Sequence, residues 1–230
     1  MRGGNNSPQI VTADAPDLDT AVGYAVQGIY ANKGEMCSAG SRLLVDARIH
    51  DDFVERFKAK TRDSIRIGGP RDPATTMGPL ASRNQQKSVL SDINLAQQEG
   101  ATLALGGRMP EGFDCGAYVE PTLFTRVNNG MRIAREEVFR SVAAVLPFAT
   151  INEALSIAND SIYGLSASVW TSDIATAYKV ARDLEAGVVW VNCYDVGDMT
   201  QPWGGFRESG IGRDKCLDTV PQSARLSQLG

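Results

Sequence analysis

Short apolar runs alternate with amphipathic stretches of helical period along nearly the whole chain, and no other feature narrows its possible folds so far. PQIVTA (8–13) reads as a strand; residues 17–32 then place Leu18, Val22, Ala25, Val26 and Ile29 on one helical face, with Asp17 as N-cap. SRLLVDA (41–47) is the next strand, followed by a helix over 49–67 that carries Ile49, Phe53, Phe57 and Ile65. A third helix spans 82–100 and is closed by Gly100. Short β-like runs follow at 102–107, 118–127 and 142–148, then a helix at 151–161. The last third repeats the alternation with a strand at 165–171, a helix at 173–187 and the apolar strand VVWVN at 188–192, which reads as buried on both faces. The expected fold is α/β: a mostly parallel sheet covered by helices, with right-handed crossovers.

What lies between these elements excludes several function classes. The segment IGGPRDPATTMGPL (67–80) is a polar excursion. With 230 residues and 43% hydrophobic content the chain can bury a core. Its 23 Lys+Arg against 27 Asp+Glu leave no basic tract to neutralise a run of phosphates, so nucleic acid is not an expected partner. The longest apolar runs, such as 141–149, fall short of a membrane span, and the first ten residues lack a secretory h-region; the expected location is the cytoplasm. Four widely spaced cysteines without a CxxC argue against a disulfide framework and a metal site. No GxGxxG follows a strand, so no self-contained dinucleotide-binding unit is visible.

Three stretches carry candidate chemistry. In GEMCSAGSRLLV (34–45), Cys37 sits among Gly34, Ser38, Ala39, Gly40 and Ser41, which leave room for a carbonyl carbon to approach a thiolate; a small buried core residue is the alternative. A Cys–His hydrolase would need His50, the single histidine, and its place in RIHDDF reads as a solvated helix start. REEVF (135–139) offers paired carboxylates, either a solvated face or a ribose ligand. Residues 192–215 combine five glycines with Tyr194, Trp203 and Phe206, either turn chemistry or an ordered irregular loop. Asp195 and Asp198 beside those aromatics suit a cationic substrate tail.

Together these segments resemble the carboxy-terminal, catalytic half of the aldehyde dehydrogenase superfamily. The resemblance rests on GGNNSPQIVTADAPDLDTA, ANKGEMCSAGSRLLV, DPATTMGPL, REEVF, ANDSIYGLSASVWTSD, GVVWVN and PWGGFRESGIGRDK, in the family's order and over essentially the whole chain. The run YDVGDMTQPWGG looks most like enzymes of aminoaldehydes such as γ-glutamyl-γ-aminobutyraldehyde. The resemblance implies a catalytic domain over 1–218 and a remnant of an oligomerisation segment over 219–230.

It also implies roles. Cys37 matches the nucleophile of the family's GQxCxAGSR loop. Its thiolate would attack an aldehyde, hydride would pass to NAD or NADP, and water would release the acid from the thioester. Glu137 and Phe139 match the pair in EEIFGPV that holds the nicotinamide ribose and packs by the ring, while Asn192, Tyr194 and Trp203 match positions around the aldehyde tunnel. Departures qualify this. The general-base glutamate of the family's ELGGKSP falls at Met1, GGK is replaced by Gly3, Gly4 and Asn5, and the Gly-Pro after Phe139 is Arg140-Ser141. The dinucleotide-binding domain would lie upstream of residue 1, and the isolated chain is expected to oxidise aldehydes poorly or not at all; the expected partner besides the aldehyde is a second copy of the chain or an upstream cofactor-binding domain. A non-catalytic assembly module and a cofactor-independent thiol esterase are the alternative readings.

Overall fold

The computed structural model describes residues 6–217. The family motif at Met1 to Asn5 and the tail at 219–230 lie outside the described residues. Seven strands form one sheet in the order β3-β4-β5-β2-β1-β6-β7. They are β1 (Pro8–Val11), β2 (Arg42–Asp46), β3 (Thr102–Leu105), β4 (Thr122–Thr125), β5 (Val142–Phe148), β6 (Ser166–Trp170) and β7 (Val188–Val191). Every pairing is parallel except β3 with β4. The helices are α1 (Leu18–Tyr30), α2 (His50–Ser64), α3 (Arg83–Gln98), the single turn α4 (Arg132–Arg135), α5 (Ile151–Asn159) and α6 (Ile174–Asp183).

The period-two alternation of the strands builds a three-layer core. Leu43, Val45, Leu123 and Val145 point to one face, where they meet Val22, Ile29, Phe53 and Phe57 of α1 and α2. On the opposite face Ile10, Leu44 and Val169 pack on Leu155 and Val180 of α5 and α6, and Phe124 and Leu146 pack on Val89 and Ile93 of α3. The helices start where the caps dictate: Asp17 accepts from the Asp19 and Thr20 amides, Ser82 from Gln85, Thr150 from Glu153 and Asp173 from Thr176. Gly100 follows α3 with φ +98, the left-handed position expected of it.

One expectation fails. β7 is an edge strand, so VVWVN is not buried on both faces: Val189 packs against the core, while Val188 and Trp190 on the opposite face line a cavity. Among the described residues no helix is long and apolar enough to cross a membrane.

Candidate active site

α1 ends at Tyr30, and the chain must reverse before entering β2. It does so through Ala31–Gly34, where Asn32, Lys33 and Gly34 all adopt positive φ (47, 65 and 72°). The Asn32 side chain donates to the Glu35 carbonyl at 3.0 Å. The small residues that follow answer to close packing. A Cβ on Gly40 would lie 2.2 Å from Gln9 Nε2, whose amide donates to the Gly40 carbonyl. Ser38, Ala39 and Gly40 are buried beneath the loop, and Cys37 alone among them is exposed at its crest.

Downstream, Arg42 anchors the loop. Its guanidinium is fully buried at the first residue of β2 and donates to the Ile157 and Ala158 carbonyls at the end of α5 and to Asn129 Oδ1. Burial pulls its pKa down to about 10, opposed by the charge of Asp160. The positive group at a helix C-terminus complements the unpaired carbonyls there.

Cys37 opens into a cavity of about 330 Å³. Met36 and Ser38 flank it; Val188 and Trp190 of β7 form one wall, and Asp195 to Asp198 with Gln201, Pro202, Trp203 and Lys215 form the other. The Trp190 indole donates to the Val196 carbonyl at 2.6 Å and lies 6.1 Å from the Trp203 ring. Lys215 Nζ stands 5.6 Å above Trp203.

Four of the predicted residues gather around Cys37. Asp195, Asp198 and Trp203 line the cavity. Tyr194 lies beneath the loop, buried, its hydroxyl donating to the Ser38 carbonyl. Burial pushes its phenol well above the usual range, the hydroxyls of Ser166 and Ser7 pull the other way, and Asp195 and Cys37 add to the rise. Asp195 also accepts from Ser38 Oγ at 3.1 Å, so the chain after β7 grips the residue next to Cys37 twice. Asn192 is placed elsewhere: its amide caps the end of β6, exchanging hydrogen bonds with the Thr171 backbone, and it does not line the cavity.

Glu137 and Phe139 approach from another side. Glu137 borders a small cleft of about 40 Å³ with Asp92, Arg132 and Glu136. Phe139 takes φ +55, and the segment behind it packs on the turn before Cys37, since a Cβ on Gly34 would fall 2.3 Å from the Arg140 carbonyl oxygen. His50 begins α2, half-buried, with Nδ1 2.8 Å from Asp51, and is not among the cavity residues.

Sequence reasoning missed Trp190, Val188 and Ser38. The first two carried a readable signal, because residues 188 and 190 share one face of a strand whose other face, at Val189, meets the core. Ser38 carried none; its role depends on a partner 157 residues away.

Fold and cavity define an α/β protein that presents an exposed cysteine to a pocket walled by aromatic and acidic side chains. A profile of the Aldehyde dehydrogenase family matches residues 1–226, and the chain belongs to that family. It is 45% identical to a betaine aldehyde dehydrogenase of Mesorhizobium japonicum and 46% identical to one of Brucella anthropi, covering 100% of this chain and 47% of each relative. The chain thus spans about half the length of the curated relatives it matches. Among solved structures it is similar to the P. syringae AldA indole-3-acetaldehyde dehydrogenase in complex with NAD+ and IAA, with TM-score 0.90 and 50% identity over 93% of this chain and 43% of that one. It is likewise similar to the aldehyde dehydrogenase KauB of Pseudomonas aeruginosa, with TM-score 0.90 and 48% identity over the same shares.

Proposed function

We propose that residues 1–218 form the catalytic portion of an NAD-dependent aldehyde dehydrogenase in which Cys37 is the nucleophile. The observation that carries this reading is the placement of one exposed sulfur, Cys37, on the wall of a solvent-open aromatic and acidic cavity. The thiolate bonds to the carbonyl carbon of an aldehyde held in the cavity, and the C=O electron pair moves to oxygen. Asp195 and Asp198 favour a cationic tail on the substrate, in keeping with the betaine aldehyde dehydrogenases among its relatives.

The residues present fit the nicotinamide end of the cofactor. Glu137 offers a half-buried carboxylate able to accept from ribose hydroxyls, and Phe139 offers a ring face on a segment packed against the nucleophile turn. A bound nicotinamide would supply the hydride acceptor. Among the described residues no Gly-rich strand-to-helix turn cradles a pyrophosphate, so the chain by itself forgoes much of the positioning contribution, which reaches about 7–11 kcal/mol in well-ordered sites.

The test pairs two readouts. NADH formation with γ-aminobutyraldehyde or betaine aldehyde should be weak or absent for the chain alone. Carbon-13 NMR with a carbonyl-labelled aldehyde should nevertheless show a protein-bound thiohemiacetal, and Cys37→Ala should abolish that signal. Capture at another cysteine, or none, would remove Cys37 from its role. A second reading, an assembly module, draws on Ile174 and Tyr178 of α6, which are 72% and 74% exposed; it predicts that Cys37→Ala changes nothing.

A further inference from the structure

Arg140 is packed into the contact between the Glu137–Phe139 segment and the turn that carries Cys37. Its side chain is only 10% exposed, and its Nε lies 3.5 Å from Oε1 of Glu35, itself 18% exposed. Neither of those two atoms has a hydrogen-bond partner, so the two charges answer each other across the contact. The remaining interactions of Arg140 stay local: Nη1 donates to the Phe139 carbonyl, and the guanidinium carbon stands 5.6 Å from the centre of the Phe139 ring. Lys33 meets the second Glu35 oxygen at 3.8 Å from the solvent side. Below the ion pair the backbones touch, with Gly34 against the Arg140 carbonyl, which in turn accepts from the Val142 amide at 2.7 Å as β5 begins.

A buried ion pair of this kind adds little net stability, yet removing one partner strands a charge that the site cannot hydrate. Its usual merit is to fix one arrangement out of several.

We propose that Arg140 and Glu35 act as a positioning pair, locking the Phe139 segment onto the Gly34–Glu35 turn and so setting the orientation in which Cys37 meets the cavity. Neither residue touches the reacting atoms; both act through Met36, the one residue that separates Glu35 from Cys37. The inference rests on reading Cys37 as the nucleophile, and it applies with or without bound cofactor.

The test measures iodoacetamide alkylation of Cys37 in the full chain at fixed pH, relative to alkylation of the exposed Cys115 in the same sample. Peptide mass spectrometry resolves the two sites, and thermal unfolding is recorded for every variant. Arg140→Met and Glu35→Gln should each lower the Cys37-to-Cys115 ratio about tenfold, a part of the roughly 100-fold that a 1 Å misplacement costs in rate. Arg140→Lys, which keeps the charge, should stay within about twofold, and the double change Glu35→Gln/Arg140→Met should recover most of the loss because the two residues act as a unit. A ratio unchanged in both single variants overturns the pair, as does a double variant slowed by the product of the single effects. If Arg140→Met does not fold, the single change Glu35→Gln decides on the same criterion. The nucleophile reading fails separately, on a Cys37 in the unaltered chain that reacts no faster than Cys115.

Discussion

Replacing Gly34 by alanine should unfold this protein more readily than any surface change, and the structure gives the size of the effect. Gly34 holds φ +72, where an L side chain crowds its own carbonyl at a cost of about 1–2 kcal/mol. The added Cβ would also sit 2.3 Å from the Arg140 carbonyl oxygen, 2.4 Å from its carbon and 2.8 Å from the Ser141 nitrogen. These are backbone atoms tied into the start of β5, so they cannot swing away as a side chain would, and such overpacking costs about 1–3 kcal/mol. Alanine stiffens the unfolded chain and returns about 0.4–1 kcal/mol. The net expectation is a loss of about 1–5 kcal/mol, or roughly 2–20 °C in unfolding midpoint for a domain of this size. Urea unfolding followed by tryptophan fluorescence measures it, with Gly69→Ala as control because a Cβ there meets nothing within 4 Å. If the two variants unfold within about 0.5 kcal/mol of one another, the scatter of neutral surface changes, then the Phe139 segment does not rest on the Gly34 turn as described.

Two further outcomes follow from other parts of the molecule. Tyr194→Phe leaves the buried Ser38 carbonyl without its donor and should cost about 1–3 kcal/mol, measurable as a lower urea midpoint; because the lost bond lies next to Cys37, alkylation of that sulfur should change as well. At Asp14, burial raises the carboxyl pKa, but donation from Thr12, Thr171 and the Asp173 amide outweighs it and leaves the folded-state value below the ordinary one. A folded-state pKa depressed in this way contributes stability that is present above the unfolded value of about 4 and lost as the pH falls through the folded one. Asp14→Asn should therefore lower the thermal midpoint at pH 7 and flatten its decline below about pH 4; an unchanged acid slope would remove Asp14 from that account.

The sheet and its principal helices were legible because their signals are local. Asp17 precedes a run of Val22, Ala25, Val26 and Ile29, and cap and period alone suffice to place α1. The helix expected over 49–67 stops at Ser64 because Ile65 turns extended, with φ −102 and ψ 113, to pack beside the core; nothing in its side chain announces that choice. The single turn Arg132–Arg135 is too short to show a period at all. β7 was misjudged for a different reason: a strand that walls a cavity on one face and meets the core on the other has the same apolar composition as one buried in the sheet. Its edge position is decided by strand order, which no window of sequence contains.

The location of the site follows from the same non-local facts. In open parallel sheets ligands usually lie beyond the carboxyl ends of the strands. Here those ends are closed where β1 and β6 finish, by Thr12, Asp14 and Thr171, with the Asn192 amide sealing the Thr171 backbone. Cys37 belongs instead to the loop entering β2, at the amino-terminal ends, where Ser7 and Ser166 join β1 to β6 through a 2.9 Å hydroxyl contact. What makes a pocket there is the return of the chain after β7, which places Tyr194 under Ser38 and Asp195 on its hydroxyl before continuing to Trp203. The scaffold that holds Cys37 and the segment that encloses it are thus distinct stretches of chain that meet at Ser38 and, through Tyr194, at Ser7, Ser166 and Gly28. A change in the 194–203 segment should therefore alter the cavity while leaving the sheet intact, whereas a change at Arg42 or Gly34 acts on the scaffold itself.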